Sequence, residues 1–266
     1  MQIAVSVEAT LNVPTSVVTL FQVEAALGPA VRAVSAPALN VTGVDGAQIE
    51  RFTDLYGNVT RRIHLVPGEA NLLYSAFLEV GLTPQLVEPA PAGSDVMTLP
   101  HDALHYLLPS RYCPSDRLLG IAADLLGEAP PTRESILRIC DWIHKHITYR
   151  YGTSDAATTA CDTLMDRMGV CRDFAHLAIA LCRALNIPAR YLSGYCLGLE
   201  PPDFHAYFQA FVDGFWQTFD ATIAGAMRPA LVNIAAGRDA ADCAWCTIFG
   251  QGETKSLSVQ VSRVGE

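Results

Sequence analysis

Met168-Gly169-Val170-Cys171-Arg172-Asp173-Phe174 runs into Ala175-His176-Leu177-Ala178-Ile179-Ala180-Leu181-Cys182-Arg183-Ala184-Leu185, and this stretch carries the chain's clearest pattern. Phe174, Leu177, Ala178, Leu181, Cys182 and Leu185 recur three and four apart, as one face of an α-helix requires. Asn186 and Pro188 stop the pattern. The helix therefore begins near Cys171, and its apolar stripe needs another layer to cover it. At a first turn the backbone N–H groups lack intrahelical partners and the dipole is positive. A cysteine there is favoured as thiolate, the nucleophilic form. The same N–H groups can hydrogen-bond the oxyanion of a carbonyl that Cys171 attacks.

Downstream the period changes to two. Three strands are expected, from Ala189 to Tyr195, His205 to Val212, and Phe215 to about Thr222. Asp213-Gly214 is a strong two-residue turn signal, and it sets Val212 opposite Phe215. In that register His205 lies opposite Thr222, and Asp220 is its diagonal neighbour on the same face. Diagonal neighbours sit roughly 7–8 Å apart at Cα, within reach of a carboxylate-to-imidazole hydrogen bond. Local register thus pairs a base with a group that orients it. Bringing Cys171 to His205 requires the helix to dock on the sheet, as its stripe implies.

Upstream lie three more helices. Ser115 is expected to cap one carrying Leu118, Leu119, Ala122, Leu125 and Leu126, closed by Gly127. Thr132 caps the next, with Ile136, Ile139, Cys140 and Ile143 on one face. A short one, Asp162 to Met168, ends at Gly169, which reads as a flexible lead into the cysteine. Residues 1 to about 88 read as strands punctuated by Gly43, Asp45-Gly46, Gly57-Asn58 and Pro67-Gly68, with a hairpin tip at 53–60. A Pro-rich connector from Pro84 to Pro100 divides the chain into a β-rich part, 1–105, and a second domain, 106–266.

Gly169-Val170-Cys171-Arg172-Asp173-Phe174-Ala175-His176, Ile187-Pro188-Ala189-Arg190-Tyr191-Leu192-Ser193-Gly194-Tyr195, Asp203-Phe204-His205-Ala206-Tyr207 and Phe219-Asp220-Ala221-Thr222 together resemble the bacterial transglutaminase-like superfamily. The resemblance covers roughly residues 130–225. It implies a papain-like α+β core, with helices packed on an antiparallel sheet, and a Cys-His-Asp triad in that chain order. Asp54…Gly57-Asn58 and Leu108-Pro109-Ser110-Arg111-Tyr112 are similar to the β-rich domain that precedes the core in many bacterial members. Carried over residue by residue, Cys171 is the nucleophile, His205 the general base and acid, and Asp220 the group orienting the imidazole. Tyr207 stands where the family usually has Trp, and Ala221 interrupts its usual Asp-Pro-Thr. The implied reaction is acyl transfer on a peptide or glutamine amide through a cysteine thioester, without a cofactor or metal.

Other features read more plainly as structure. His176 is five positions from Cys171 and about 140° round the helix, so it faces elsewhere. Asp173 suits the positive first turn. His101 and His105 have the i, i+4 spacing of a zincin helix, but Asp102 replaces the glutamate and no third ligand is evident. Cys243 and Cys246 form a lone Cys-x-x-Cys without the second pair zinc needs. Tyr149 and Tyr151 are expected to line the cleft.

The 266 residues carry 18 basic and 27 acidic side chains, a net charge of −9, and no dense basic cluster. Nucleic acid and anionic membrane are therefore poor candidate partners, while a protein or peptide substrate is what the resemblance implies. With 50% hydrophobic residues the surface has room for a homo-oligomeric interface. The start has no basic and apolar signal pattern, and eight cysteines are too few for a disulfide scaffold of this size, so a reduced, cytoplasmic protein is expected. Three competing classes remain. One is a non-catalytic protein-binding module that retains the triad residues. Another is an acyl-CoA-dependent amine acetyltransferase, for which no phosphate cradle is visible; the third is metal hydrolysis at His101 and His105.

Overall fold

A computed structural model describes residues 1–81, 96–127, 129–223 and 230–265, and of residues 45–48 the backbone alone. The first part runs β1 (Gln2–Val13), β2 (Val17–Phe21), β3 (Val31–Ala33), β4 (Ala38–Val41), β5 (Val44–Thr53), β6 (Val59–Leu65) and β7 (Gly68–Val80). Next come α1 (Leu119–Leu126), α2 (Arg133–His146), β8 (Thr148–Tyr149), α3 (Ala160–Asp166), β9 (Met168–Gly169) and α4 (Cys171–Ala184). The chain finishes with β10 (Ala189–Cys196), β11 (His205–Val212), β12 (Phe215–Phe219), β13 (Leu231–Gly237), β14 (Cys246–Phe249) and β15 (Glu253–Arg263).

Alternation builds the β-rich part. In β1 the residues Ile3, Val5, Val7, Ala9, Leu11 and Val13 are buried, and in β7 Ala70, Leu72, Tyr74, Ala76 and Leu78 are, the period a one-sided strand demands. One antiparallel sheet has the order β15-β1-β7-β3, with β4 also on β7; a second has the order β14-β2-β6-β5. The connector at 84–100 falls largely within residues 82–95, outside those described.

The second part is α+β. α4 packs on β10 and β11 of a third antiparallel sheet, β12-β11-β10-β13, and touches α1, α2 and α3 around it. Its stripe Phe174, Leu177, Ala178, Leu181 and Cys182 is buried. Leu185, at its C-cap, is partly buried and packs against the core. Arg183 is buried too. Its guanidinium donates to the carbonyls of Ala189, Leu108 and Arg238 and to Ser110 Oγ, tying the helix end to its surroundings.

Several expectations shift. Residues 246–249 and 253–263, expected in the second domain, return to the β-rich sheets: β14 pairs with β2, and β15 runs antiparallel along β1. Only long-range pairing could reveal this, because a strand's partner is not written in its own period. Ser115 opens a short 3-10 turn instead of capping, and α1 starts at Leu119. The short helix α3 is capped by Thr159 and stops at Arg167, which takes the left-handed conformation (φ 57°). Met168 and Gly169 are thereby freed to form β9. The hairpin of β11 and β12 has the expected two-residue turn, with positive φ at Asp213 and Gly214. Its ladder ends at Phe208↔Phe219, short of the expected His205↔Thr222 pair.

Candidate active site

Cys171 is the first residue of α4 and is partly exposed. Gly169 precedes it for a reason the sequence did not reveal. A Cβ there would lie 2.6 Å from Asp173 Cβ, and its φ is not in the left-handed region. The glycine is a packing position, not a hinge. Asp173, fully buried, accepts the Val170 N–H through Oδ2 at 2.8 Å and so closes the helix start.

His205 begins β11, opposite Gly194 of β10, and its ring is almost wholly buried. Asp220 lies one residue beyond β12. There it leaves the ladder, and its Oδ2 meets His205 Nε2 at 2.7 Å. The carboxylate's other oxygen accepts the Thr222 N–H at 2.9 Å and the Thr222 hydroxyl at 2.6 Å. Asp220 is thus aimed from both sides. Burial raises the Asp220 carboxyl, but the hydrogen bond and charge of His205 and the two Thr222 donors outweigh it, holding the group below its ordinary value.

Burial likewise pulls His205 down, yet the hydrogen bond and charge of Asp220, together with the nearby Cys171, carry it up to about 9. With Nε2 committed to Asp220, the buried Nδ1 is the free ring nitrogen. Asp220 therefore meets His205 from beyond the end of the ladder, not as a diagonal pair within it, and Cys171 and His205 line the same cleft.

A cleft of about 690 Å³ opens on Cys171 and His205. Tyr191, Ser193 and Ala206 line it from the third sheet, and Arg111 and Tyr112 from the stretch before α1. Residues 240–246 wall it on another side, with Gln22 from just beyond β2. Trp245 is the centre of that wall, its ring 6.3 Å from both Phe21 and Phe204, and its carbonyl accepts the Gln22 N–H at 3.0 Å. No local signal announces this wall, because it forms where the chain turns back toward β14.

Tyr149 and Tyr151, expected to line the cleft, are not among its lining residues, and the other candidates are structural. His176 is wholly buried, stacked on Tyr112 at 5.0 Å, and its Nε2 accepts the Ala240 N–H. Burial, with Arg172 and Arg183 nearby, pushes its pKa well below the ordinary histidine value, and it props the cleft wall. His101 and His105 lie in a 3-10 helix, where residues four apart diverge by about 120°. Cys243 and Cys246 are free thiols, Cys243 buried and Cys246 at the start of β14. Among the described residues no group of three or more His, Cys, Asp or Glu side chains is arranged to hold a metal ion.

Residues 120–221 match the core of the transglutaminase-like superfamily. The whole chain superposes on a protein from Cytophaga hutchinsonii provisionally named a cysteine protease, with a TM-score of 0.89 and 36% identity, covering 100% of this chain and 91% of that one. The chain belongs to the bacterial transglutaminase-like superfamily. An uncharacterized protein of Mycobacterium leprae is 28% identical over 149 residues, 52% of each chain. One of Mycobacterium tuberculosis is 42% identical over 72 residues, 27% of this chain and 23% of that. The chain spans about half the length, or less, of these curated relatives.

Within the superfamily pattern, the two departures have clear structural settings. Tyr207, in the usual Trp place, is buried 5.8 Å from the His205 ring, and its hydroxyl donates to Asn233 Oδ1 at 2.6 Å. Gly194 makes room for it, since a Cβ there would lie 2.5 Å from the Tyr207 hydroxyl. Ala221 is buried, and Thr222 still holds Asp220.

Proposed function

We propose that the protein catalyses thiol-dependent acyl transfer on peptide or glutamine amides, with Cys171 as nucleophile, His205 as base and acid, and Asp220 as its orienting carboxylate. The observation that carries this reading is the buried 2.7 Å contact between His205 Nε2 and Asp220, beside a cysteine at a helix first turn on an open cleft. Asp220 holds the tautomer with the proton on Nε2, leaving Nδ1 to take the thiol proton. The raised basicity of His205 favours the thiolate–imidazolium pair. The thiolate attacks the amide carbonyl, His205 protonates the departing amine, and a thioester remains. His205 then activates water, giving a cleaved peptide or a deamidated glutamine, or an incoming amine, giving a cross-link.

The cleft suits a segment of polypeptide, and eight free thiols suit a reducing, cytoplasmic setting. No helix among the described residues is long and apolar enough to cross a membrane.

The test is limited iodoacetamide labelling followed by a glutamine and peptide screen with and without a primary amine. Cys171 is expected to alkylate first of the eight cysteines, and Cys171→Ala to abolish turnover. Slow labelling of Cys171, or turnover that survives Cys171→Ala, overturns the proposal.

A further inference from the structure

Leu108-Pro109-Ser110-Arg111-Tyr112 is a segment that the triad does not use. The Ser110 and Cys113 N–H groups donate to each other's carbonyls, both at 3.1 Å, so Arg111 and Tyr112 form the tip of a two-residue loop. The loop is anchored at several points. Ser110 Oγ accepts the buried Arg183 guanidinium at 3.0 Å, and Cys113 is fully buried. The Tyr112 N–H donates to Asp239 Oδ2 at 2.9 Å, and its hydroxyl donates to the Ala156 carbonyl at 2.9 Å. Its own carbonyl accepts the Ala160 N–H at 2.9 Å.

Arg111 sits on this fixed tip. Its guanidinium lies over the Tyr112 ring, 5.2 Å from the centroid, and the residue is exposed and lines the cleft that holds Cys171. Among the described residues the guanidinium makes no hydrogen bond or ion pair. The other arginine on the cleft is committed: Arg172 Nη2 donates to the Asp155 carbonyl at 2.8 Å, and its Nε is 3.7 Å from Oδ1 of buried Asp173. Asp203, also on the cleft, accepts the Phe204 N–H through Oδ1 at 2.7 Å. With a net charge of −9 the chain as a whole repels anions, so an unpaired guanidinium on the cleft is the feature that admits one. A planar guanidinium takes a carboxylate through two parallel N–H···O bonds. Because the tip is fixed beforehand, little ordering remains for binding to impose.

We propose that Arg111 is a specificity-determining residue that takes a carboxylate of the substrate, either an acidic side chain or a terminal carboxylate. The inference rests on the thiol reading above and gives it a substrate class, amides of carboxylate-bearing peptides.

Three reagents of one size test it: iodoacetyl-glutamine amide, which is neutral, iodoacetyl-glutamate α-amide, with a side-chain carboxylate, and iodoacetyl-glutamine, with a terminal one. The measurement is the ratio of acid to neutral rates of Cys171 alkylation. In wild type one acid is expected to react about tenfold faster than the neutral reagent, the scale of a hydrogen bond to a charged group, and which acid it is identifies the source of the carboxylate. In Arg111→Gln that acid should fall to the neutral rate or below it, since only the net negative charge then acts. Equal rates in wild type, or a preference that survives Arg111→Gln, overturns the inference and leaves the thiol reading standing. If Arg111→Gln does not react at all, Arg111→Lys decides, because it keeps the charge without the planar fork. A reduced preference there, with the neutral reagent still reacting, supports the role; an unchanged preference or no reaction overturns it. Failure of all three reagents to label Cys171 in wild type instead overturns the thiol reading, and this inference with it.

Discussion

His205 has its ordinary value of 6.5 carried up to about 9 in the folded protein. The folded state therefore binds more protons than the unfolded chain between those limits. The stability from this histidine is complete below pH 6.5 and is lost as pH rises through about 9. Thermal unfolding across pH 6 to 9.5 is expected to show a falling Tm in that window, with a smaller fall in Cys171→Ala, which removes one of the groups that raise the ring. At the same scale, Asp220→Asn keeps the volume but no longer holds the imidazole tautomer. Its kcat is expected to drop by about 10²–10⁴-fold with little change in KM, read by steady-state kinetics on the first substrate the screen yields. A full-rate Asp220→Asn enzyme would leave the carboxylate without a role.

Elements position these groups through close backbone packing. α4 starts where it does because Asp173 folds back over Gly169 and accepts the Val170 N–H. In Gly169→Ala the new methyl must displace Asp173, whose buried carboxylate cannot yield without losing that hydrogen bond. The expected cost is about 1–3 kcal/mol, read as a lower urea midpoint, and Cys171 alkylation slows because the helix start moves. An unchanged midpoint would show that Asp173 can shift freely. The β11–β12 hairpin acts differently: its ladder ends at Phe219, and the released Asp220 turns toward the histidine under the grip of Thr222.

At the scale of the molecule, the β-rich part and the core are joined by specific polar contacts. The β5–β6 hairpin tip is wound around Asp54, which accepts the N–H groups of Tyr56 and Asn58. It presents Asn58 to β13, the edge strand of the third sheet. Asn58 Nδ2 donates to the Ala236 carbonyl at 2.8 Å, and its Oδ1 accepts the Ala236 N–H at 2.7 Å. Asn58 thus completes the edge as a neighbouring strand would. Asn58→Ala orphans both backbone groups at a buried site, and about 2–4 kcal/mol of stability should be lost. Limited proteolysis is expected to cut near the hairpin tip before it cuts the core; identical digestion patterns in the two proteins would refute this.

The sequence by itself determined the helix that starts at Cys171, the two-residue turn of the β11–β12 hairpin, and the structural part played by His176, because each follows from a local period or turn, whereas Asp220 reaches His205 only by leaving that hairpin's ladder. The resemblance carried by those same segments pointed to the superfamily. The cleft wall at 240–246, the return of β14 and β15 to the first two sheets and the packing role of Gly169 were decided only by the tertiary structure. The physical reason is range. Periodicity specifies which face of an element is buried, whereas strand partners and close approaches between distant residues depend on how all the buried faces pack together at once.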